Sequence, residues 1–170
     1  MLRAARASAR AQLREEVDEG TPIGQQVQDI MARGELVSSE LIVTLLRRRM
    51  RRFGQRRLLL DGFPRSLQNA IDFEAQCGKP ELALLLHCPE ETMIERILKR
   101  SAQLGRTDDN LETARRRCAV YREQGKPTME WLRDSGVPII RLDCSGTPDD
   151  VWAQLVVVGR LMRNATLIDQ

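Results

Sequence analysis

The stretch LLLDGFPRS, Leu58–Ser66, decides the fold because it joins a short apolar run to a polar turn. A continuous apolar run of this length is typical of a strand that is covered on both faces. The run ends in Asp61, and a Gly-Phe-Pro turn leads from there to Arg65. Ligands of open parallel sheets bind beyond the carboxyl ends of the strands, so Asp61 and Arg65 are candidate site residues.

The chemistry of these two side chains fits a phosphate site. Asp61 offers a hard oxygen ligand to a magnesium ion that keeps its own waters. Arg65 can grip a phosphate group through two parallel hydrogen bonds. A purely structural alternative is equally compatible with these residues alone: Asp61 caps the turn, and Arg65 pairs with it.

Along the rest of the chain, segments whose apolar residues have helical spacing alternate with short apolar runs typical of strands. This alternation is typical of an α/β fold. Two further apolar runs, at 81–88 and 137–144, join 57–61 as predicted strands. Helices are predicted after Thr21, after Ser38, around 67–76, from 88 to 100, over 111–135 and from 147 onwards, with a polar loop between 101 and 110. Strands separated by helices predict a parallel sheet with right-handed crossovers.

Length and composition narrow the class of protein. A chain of 170 residues fits one domain with a real core, and 42% hydrophobic with 30% charged residues is an ordinary balance for such a domain. No apolar run reaches the length of a membrane span. Four cysteines without CxxC spacing and a single histidine argue against a metal site and indicate reduced thiols.

Further arginines strengthen the phosphate interpretation. Arg96 and Arg100 are four residues apart and share one face of a predicted helix, and Arg106 and Arg117 follow in the next loop and helix. Positive charges that converge on one region repel each other unless an anion neutralises them. Phosphoryl transfer requires such a cluster, because negative charge spreads over the oxygens of the transferred group.

Four motifs occur in the order and spacing of one enzyme family: DGFPR (61–65), CPEETMIERILKR (88–100), GRTDDN (105–110) and ETARRR (112–117). Through them the chain resembles the adenylate kinase/UMP-CMP kinase family of nucleoside monophosphate kinases over roughly residues 8–155. The resemblance implies an α/β fold with a P-loop-kinase-type parallel sheet and flanking helices. It also implies one domain over 1–170, with a monophosphate-binding flap at 8–37 and a short lid at 100–110.

The resemblance further implies a site for ATP and a nucleoside monophosphate, with Mg²⁺ held by Asp61 through water. The implied monophosphate-binding residues are Ala9, Arg14, Glu35, Leu36, Val37, Gly62, Phe63, Pro64, Arg65 and Asn69. The implied ATP-binding residues are Arg96, Arg100, Arg106, Arg117 and Gly146. Arg65, Arg100, Arg106 and Arg117 would be the catalytic arginines around the transferred group.

The acceptor base is indicated by the amide four residues after Arg65. Adenylate kinases usually have glutamine there and UMP-CMP kinases asparagine, and this chain has Asn69, with Ala9 also matching the pyrimidine enzymes. Ser66 departs from the asparagine of the animal pyrimidine kinases. UMP or CMP is therefore the expected acceptor, with AMP as the alternative. Arg10 and Ala11 replace the family's Gly-Asp pair, which leaves the capping of the flap helix open.

One family motif is absent from the printed sequence. The GxxxxGK[ST] loop, whose backbone N–H groups and lysine cradle the donor phosphates, does not occur. The resemblance implies that the first strand, this loop and the second strand are missing, and that the first strand would lie between 57–61 and 81–88. We therefore expect the strands at 57–61 and 81–88 to have inner edges without hydrogen-bond partners. We also expect the chain to be N-terminally incomplete, and its activity on its own to be negligible. A non-catalytic, monophosphate-binding paralogue is the alternative.

The remaining expectations concern partners and location. Nucleotides are the expected partners, and the chain is expected to be a monomer with no membrane partner. An RNA-binding role for RRRMRRFGQRR (47–57) is disfavoured, because Phe53 is the only aromatic residue nearby. The expected location is the cytoplasm; the nucleus stays open, and so does the mitochondrion because the Arg-rich N-terminus resembles a transit peptide.

Overall fold

The computed structural model describes residues 5–54, 58–104 and 110–168 of the chain. The elements within these ranges alternate between strand and helix, which confirms the predicted α/β class. In chain order they are β1 Ala5–Ser8, α1 Ala9–Asp18, α2 Pro22–Ala32, α3 Ser39–Phe53, β2 Leu58–Asp61, α4 Leu67–Cys77, β3 Ala83–His87, α5 Glu90–Leu104, α6 Leu111–Asp134, β4 Ile139–Asp143 and α7 Pro148–Ile168.

The strands pair in parallel, as predicted, but in two separate sheets. β1 pairs with β2 from Ala5 opposite Leu58 onwards, and β3 pairs with β4 from Ala83 opposite Ile139 onwards. Within the described ranges no ladder joins β2 to β3. This agrees with the expectation that the strands at 57–61 and 81–88 have unpaired inner edges.

The strand β1 corrects one prediction. The second strand of the family fold, which leads into the flap, was expected to be missing, yet Ala5–Ser8 forms a strand directly before α1. Its sequence, ARAS, has no apolar run that would identify a strand. The ladder to β2 and the burial of Ala7, which is 1% exposed, stabilise it instead, so tertiary pairing overrides weak local preference.

The leucines of two strands correct a second prediction. Both apolar runs were expected to be covered on both faces, but Leu59 is 50% exposed and Leu86 is 59% exposed. A hydrophobic pattern shows only which side chains are apolar enough to be buried. Their actual burial also requires another element that packs over them. Over these two side chains the described part of the chain provides no such cover.

The hydrophobic core joins the flap to the rest of the fold. It is formed by buried residues of β1, α1, α2 and α3, including Leu13, Val27 and Leu46, and Val37 and Phe63 pack against it. The helix predicted after Thr21 begins at a polar cap, because Thr21 Oγ1 accepts from the Gly24 N–H at 3.0 Å. The sequence left open how α1 is capped. In the structure Ser8 caps it, because its Oγ accepts from the Ala11 N–H at 3.4 Å.

The start of the predicted lid is helical. The polar stretch after Arg100 was predicted to be a loop, but α5 continues to Leu104. Its residues Ser-Ala-Gln-Leu include three good helix formers, and the first glycine comes only at 105. Residues 105–109, with Arg106, lie outside the described residues.

No helix in the described ranges is both long enough and apolar enough to cross a membrane. All four cysteines, Cys77, Cys88, Cys118 and Cys144, are free thiols, as expected.

Candidate functional site

The turn after β2 folds Arg65 back over Gly62. Gly62 has φ +68°, and a Cβ atom there would lie 2.9 Å from Nη2 of Arg65. Arg65 Nε donates to the Gly62 carbonyl at 2.7 Å, and the Phe63–Pro64 peptide bond is cis. Glycine is therefore required at this position both for its backbone conformation and for the close approach of the guanidinium.

Asn69 holds the backbone of the same arginine. Its Oδ1 accepts from the Arg65 N–H at 3.2 Å, and its own N–H donates to Ser66 Oγ at 3.2 Å. The residue is 5% exposed, at the start of α4. The amide predicted to read the base is thus also part of the structure that presents Arg65.

A first cavity of about 580 Å³ lies at the carboxyl ends of β1 and β2. Three predicted site residues line it, namely Arg14 from α1, Asp61 from β2 and Arg100 from α5. The other lining residues are Ser8, Arg10, Ala11, Glu15, Asp18 and Glu19. The structure therefore brings together side chains that are 86 positions apart in sequence, around one acid at a strand end.

Electrostatics connect Arg65 and Arg117 to the same region. The pKa of Arg65 is lowered from its ordinary value, first because surrounding protein removes water from the guanidinium and then because the positive charge of Arg117 opposes it. Asp61 acts in the opposite direction. The Arg65 residue is nevertheless exposed to solvent, so a ligand can reach it. Asp61 therefore lines the first cavity together with Arg14 and Arg100, and its carboxylate also acts on the charge of Arg65.

A second cavity of about 590 Å³ lies where β4 leads into α7. Arg96 and Gly146, both in the predicted ATP set, line it with Ser145, Thr147, Pro148, Asp150 and Val151. Arg96 donates to the carbonyls of Cys144 at 2.5 Å, Ser145 at 3.0 Å and Gly146 at 2.7 Å. Its guanidinium thus fixes the 144–146 loop.

The position of Arg96 corrects one expectation. Arg96 and Arg100 were expected to converge on one region because they are four residues apart. They line different cavities instead, because Arg96 reaches the carbonyls after β4 and Arg100 reaches the end of β2. A shared helical face brings two long side chains close at their Cβ atoms, but it does not determine where their guanidinium groups bind.

Gly146 is required by the helix cap beside it. A Cβ atom at this position would lie 2.7 Å from Oδ2 of Asp150. That carboxylate accepts from the Thr147 N–H at 2.8 Å and from Thr147 Oγ1 at 2.7 Å. These hydrogen bonds lower the pKa of Asp150 and complete a reciprocal cap at the start of α7.

Glu35, Leu36 and Val37 were predicted as monophosphate-binding residues, but the contacts of this segment with α6 were not recognised from the sequence. Thr113 Oγ1 donates to the Ala32 carbonyl at 3.3 Å, and Glu35 pairs with Arg33 at 3.1 Å and with Arg116 at 3.6 Å. The hydrogen bond from Arg33, supported by the positive charges of Arg33 and Arg116, lowers the pKa of Glu35. The sequence signal nearest to this contact is Gly34, which lies just after α2 and has an ordinary explanation as the end of a helix.

The other predicted monophosphate residues lie around the flap. Ala9 is buried at the first position of α1, and Leu36 and Val37 follow Glu35 on the way to α3. Leu36 is exposed and Val37 packs against the core.

A metal site built only from protein ligands is absent from the described ranges, in which no three His, Cys, Asp or Glu side chains group suitably. Asp61 supplies one carboxylate at the edge of the first cavity. A single carboxylate fits Mg²⁺ bound through water together with nucleotide phosphates, which is the usual way proteins hold this ion.

Comparisons with known proteins identify the family. The family model for adenylate kinase matches residues 2–137. The chain is 42% identical over 147 residues to an adenylate kinase of Thermus thermophilus, which covers 84% of this chain and 76% of that protein. It is 34% identical to UMP-CMP kinase 2 of Oryza sativa subsp. japonica, with 82% and 57% covered, and 34% identical to adenylate kinase isoenzyme 1 of Homo sapiens, with 84% and 74% covered. The chain therefore belongs to the adenylate kinase family of nucleoside monophosphate kinases.

Proposed function

We propose that the first cavity and the adjoining arginines serve transfer of the γ-phosphate of ATP to a nucleoside monophosphate, with UMP or CMP as the acceptor. The observation that carries this proposal is that Arg14 and Arg100 line one cavity with Asp61, while Asp61 and Arg117 both act on the charge of Arg65. The charges of Arg65 and Arg117 oppose each other, and a phosphate group would relieve that repulsion. The same charges would stabilise the transferred group as its negative charge spreads.

The acceptor is proposed to bind between the flap and the DGFPR turn. Arg14 and Arg65 are held by α1 and by the turn, so their guanidinium groups can clamp one monophosphate from two directions. Residues 8–37 are proposed to act as the flap and 100–110 as the lid. Arg106, in the part of the lid outside the described residues, is proposed to join Arg100 and Arg117.

The donor is proposed to bind with its adenine near Gly146. The second cavity supports this, since Arg96 fixes three successive carbonyls of the loop that lines it. Mg²⁺, held by Asp61 through water, would neutralise phosphate charge and orient the donor. Because the printed sequence lacks the GxxxxGK[ST] motif, we propose that these 170 residues alone bind a monophosphate but turn over negligibly.

The choice of base has two candidates. Asn69 supports a pyrimidine, because a shorter amide leaves room beneath a smaller ring. AMP is the second candidate, because the relative with 42% identity is an adenylate kinase. We also propose that the chain acts as a monomer in the cytoplasm; its ordinary composition supports this.

Titration calorimetry with UMP, CMP, AMP and ATP tests the proposal without requiring turnover. We expect UMP or CMP to bind, and Arg65→Ala to weaken that binding at least tenfold. Arg133→Ala is the matched control, because this exposed arginine lies on the same helix as Arg117 but about 24 Å further along it. Equal affinity in all three proteins, or no monophosphate binding, would refute the site.

Three further outcomes distinguish the alternatives. Stronger binding of AMP than of UMP and CMP would assign the site to the adenine nucleotide. Robust turnover of the 170-residue chain in a coupled assay would refute the proposed inactivity. Monophosphate binding without any triphosphate binding would favour the non-catalytic role.

A further inference from the structure

The exit of the flap packs closely on the start of α6. Gly34 follows α2 at φ +73°, and a Cβ atom there would lie 2.9 Å from Cγ2 of Thr113 and 3.4 Å from Cγ of Arg117. Contacts of this length leave no room for a side chain. The flap backbone therefore rests directly on the stems of Thr113 and Arg117.

Two polar contacts accompany this packing. Thr113 is 5% exposed, and its Oγ1 donates to the Ala32 carbonyl at 3.3 Å. Glu35 lies 3.6 Å from Nη1 of Arg116. We call this set of contacts the clasp: Ala32, Gly34 and Glu35 on the flap, and Thr113, Arg116 and Arg117 on α6.

Arg117 is the residue through which the clasp can influence Arg65. The stem of Arg117 lies where a side chain at Gly34 would reach it, with Cγ 3.4 Å from the position of a Cβ atom there, and the charge of Arg117 acts on Arg65 in the turn after β2. A shift of the flap exit would therefore move one of two like charges that act on each other. In a close-packed contact such a shift is transmitted as a displacement and is not absorbed locally.

We propose that Gly34 and Thr113 are positioning residues, which set Arg117 relative to Arg65 and couple the flap to the start of α6. The proposal rests on the proposed function where it concerns a bound monophosphate. It also predicts a property of the free protein: loosening the clasp loosens the first turns of α6.

Gly34→Ala tests the clasp, with Gly20→Ala as its matched control. Gly20 also lies in the flap region and has φ +64°, but nothing lies within 4 Å of a Cβ atom there. Both variants impose the same kind of backbone strain, and only Gly34→Ala adds a collision. Hydrogen exchange of the amides at 111–117 in the free protein should be at least tenfold faster in Gly34→Ala and unchanged in Gly20→Ala.

A third variant separates the collision from the strain. Gly34→Ala combined with Thr113→Ser removes the Cγ2 methyl group and keeps the hydroxyl, so protection of 111–117 should return toward that of Gly20→Ala. If Gly34→Ala fails to fold, Thr113→Val is measured instead, because it keeps the size and removes only the bond to Ala32. Exchange at 111–117 that is alike in Gly34→Ala and Gly20→Ala, or unchanged in Thr113→Val, overturns the proposal.

The ligand experiment distinguishes this inference from the proposed function. Adding UMP to the unmutated protein should slow exchange at 111–117 as well as in the flap, and Gly34→Ala should weaken UMP binding several-fold more than Gly20→Ala does. Calorimetric binding with no change at 111–117 overturns the coupling and leaves the proposed function intact. Absence of calorimetric binding counts against the proposed function, while exchange in the free proteins still decides the clasp.

Discussion

The backbone N–H of Arg65 donates to Oδ1 of Asn69 at 3.2 Å, so one amide joins the turn that presents a phosphate-binding candidate to the first turn of α4. The residue proposed to distinguish the two acceptor bases is therefore also a part of the local fold. A change at this position should alter the placement of the arginine, and the proposed choice of base together with it.

Asn69→Ala should destabilise the protein and weaken monophosphate binding together. It leaves the Arg65 N–H without its acceptor in a partly buried turn, which costs about 1–3 kcal/mol. Denaturant unfolding and calorimetry measure the two effects. Gln68→Ala is the control, because its exposed side chain bonds only to Asp72 at 2.7 Å, and its effect should stay below about 0.5 kcal/mol. Equal effects of both variants would contradict the role of Asn69.

Arg65→Met should separate stability from binding. The pKa of Arg65 is lowered by burial and by the charge of Arg117, so the free protein holds this charge against repulsion. Removing the charge should leave the melting temperature unchanged or raise it, while monophosphate binding is lost. Inorganic phosphate should raise the melting temperature of the unmutated protein and not that of the variant. A marked destabilisation by Arg65→Met would show that the arginine is needed for folding.

Much of this fold could be predicted from periodicity. The helix over 111–135 is observed as Leu111–Asp134, and the three apolar runs are observed as strands within two residues of their predicted ends. Such segments are long or strongly apolar, so local pattern and tertiary packing agree. The strand Ala5–Ser8 could not be found in this way, because its small residues carry no pattern and its pairing partner is more than fifty positions away.

The site was predictable in its residue types and less so in its contacts. Arg14, Asp61 and Arg100 do line one cavity, which lies at the carboxyl ends of β1 and β2. The hydrogen bonds of Arg96 to three carbonyls after β4 were not predictable, because they depend on how two distant elements pack. The contact of Gly34 with Thr113 was likewise hidden, since a glycine after a helix has an ordinary local explanation.

Gly146→Ala and Gly159→Ala should have opposite effects on stability. A Cβ atom at Gly146 would displace the Asp150 carboxylate and weaken the cap of α7, which costs about 0.5–2 kcal/mol. Gly159 lies within α7 with nothing close to its Cβ position, so alanine there should stabilise by about 0.5–1 kcal/mol. Thermal unfolding checks both, and Gly146→Ala should also weaken ATP binding. The same sign for both substitutions would contradict this account of the 144–147 loop.

Lowering the pH should destabilise the loop between β4 and α7, which borders the second cavity. The pKa of Asp150 is lowered by its hydrogen bonds from the side chain and backbone of Thr147, and the pKa of Asp143 by those from the backbone and side chain of Ser145. A carboxyl whose pKa is lower in the folded state contributes stability that is fully present above its unfolded value, about 3.9. That contribution is lost as the pH falls through the lower, folded pKa.

Asp150→Asn should therefore flatten the fall in melting temperature below about pH 4 and lower the melting temperature at pH 7. Asp149→Asn is the matched control, because Asp149 lies in the same first turn of α7 and is exposed. It changes the charge at the helix start without touching the bonds to Thr147, so only a small, uniform shift is expected. Parallel profiles for the two variants would mean that the charge at the helix start, and not the bonds between Asp150 and Thr147, governs the acid response.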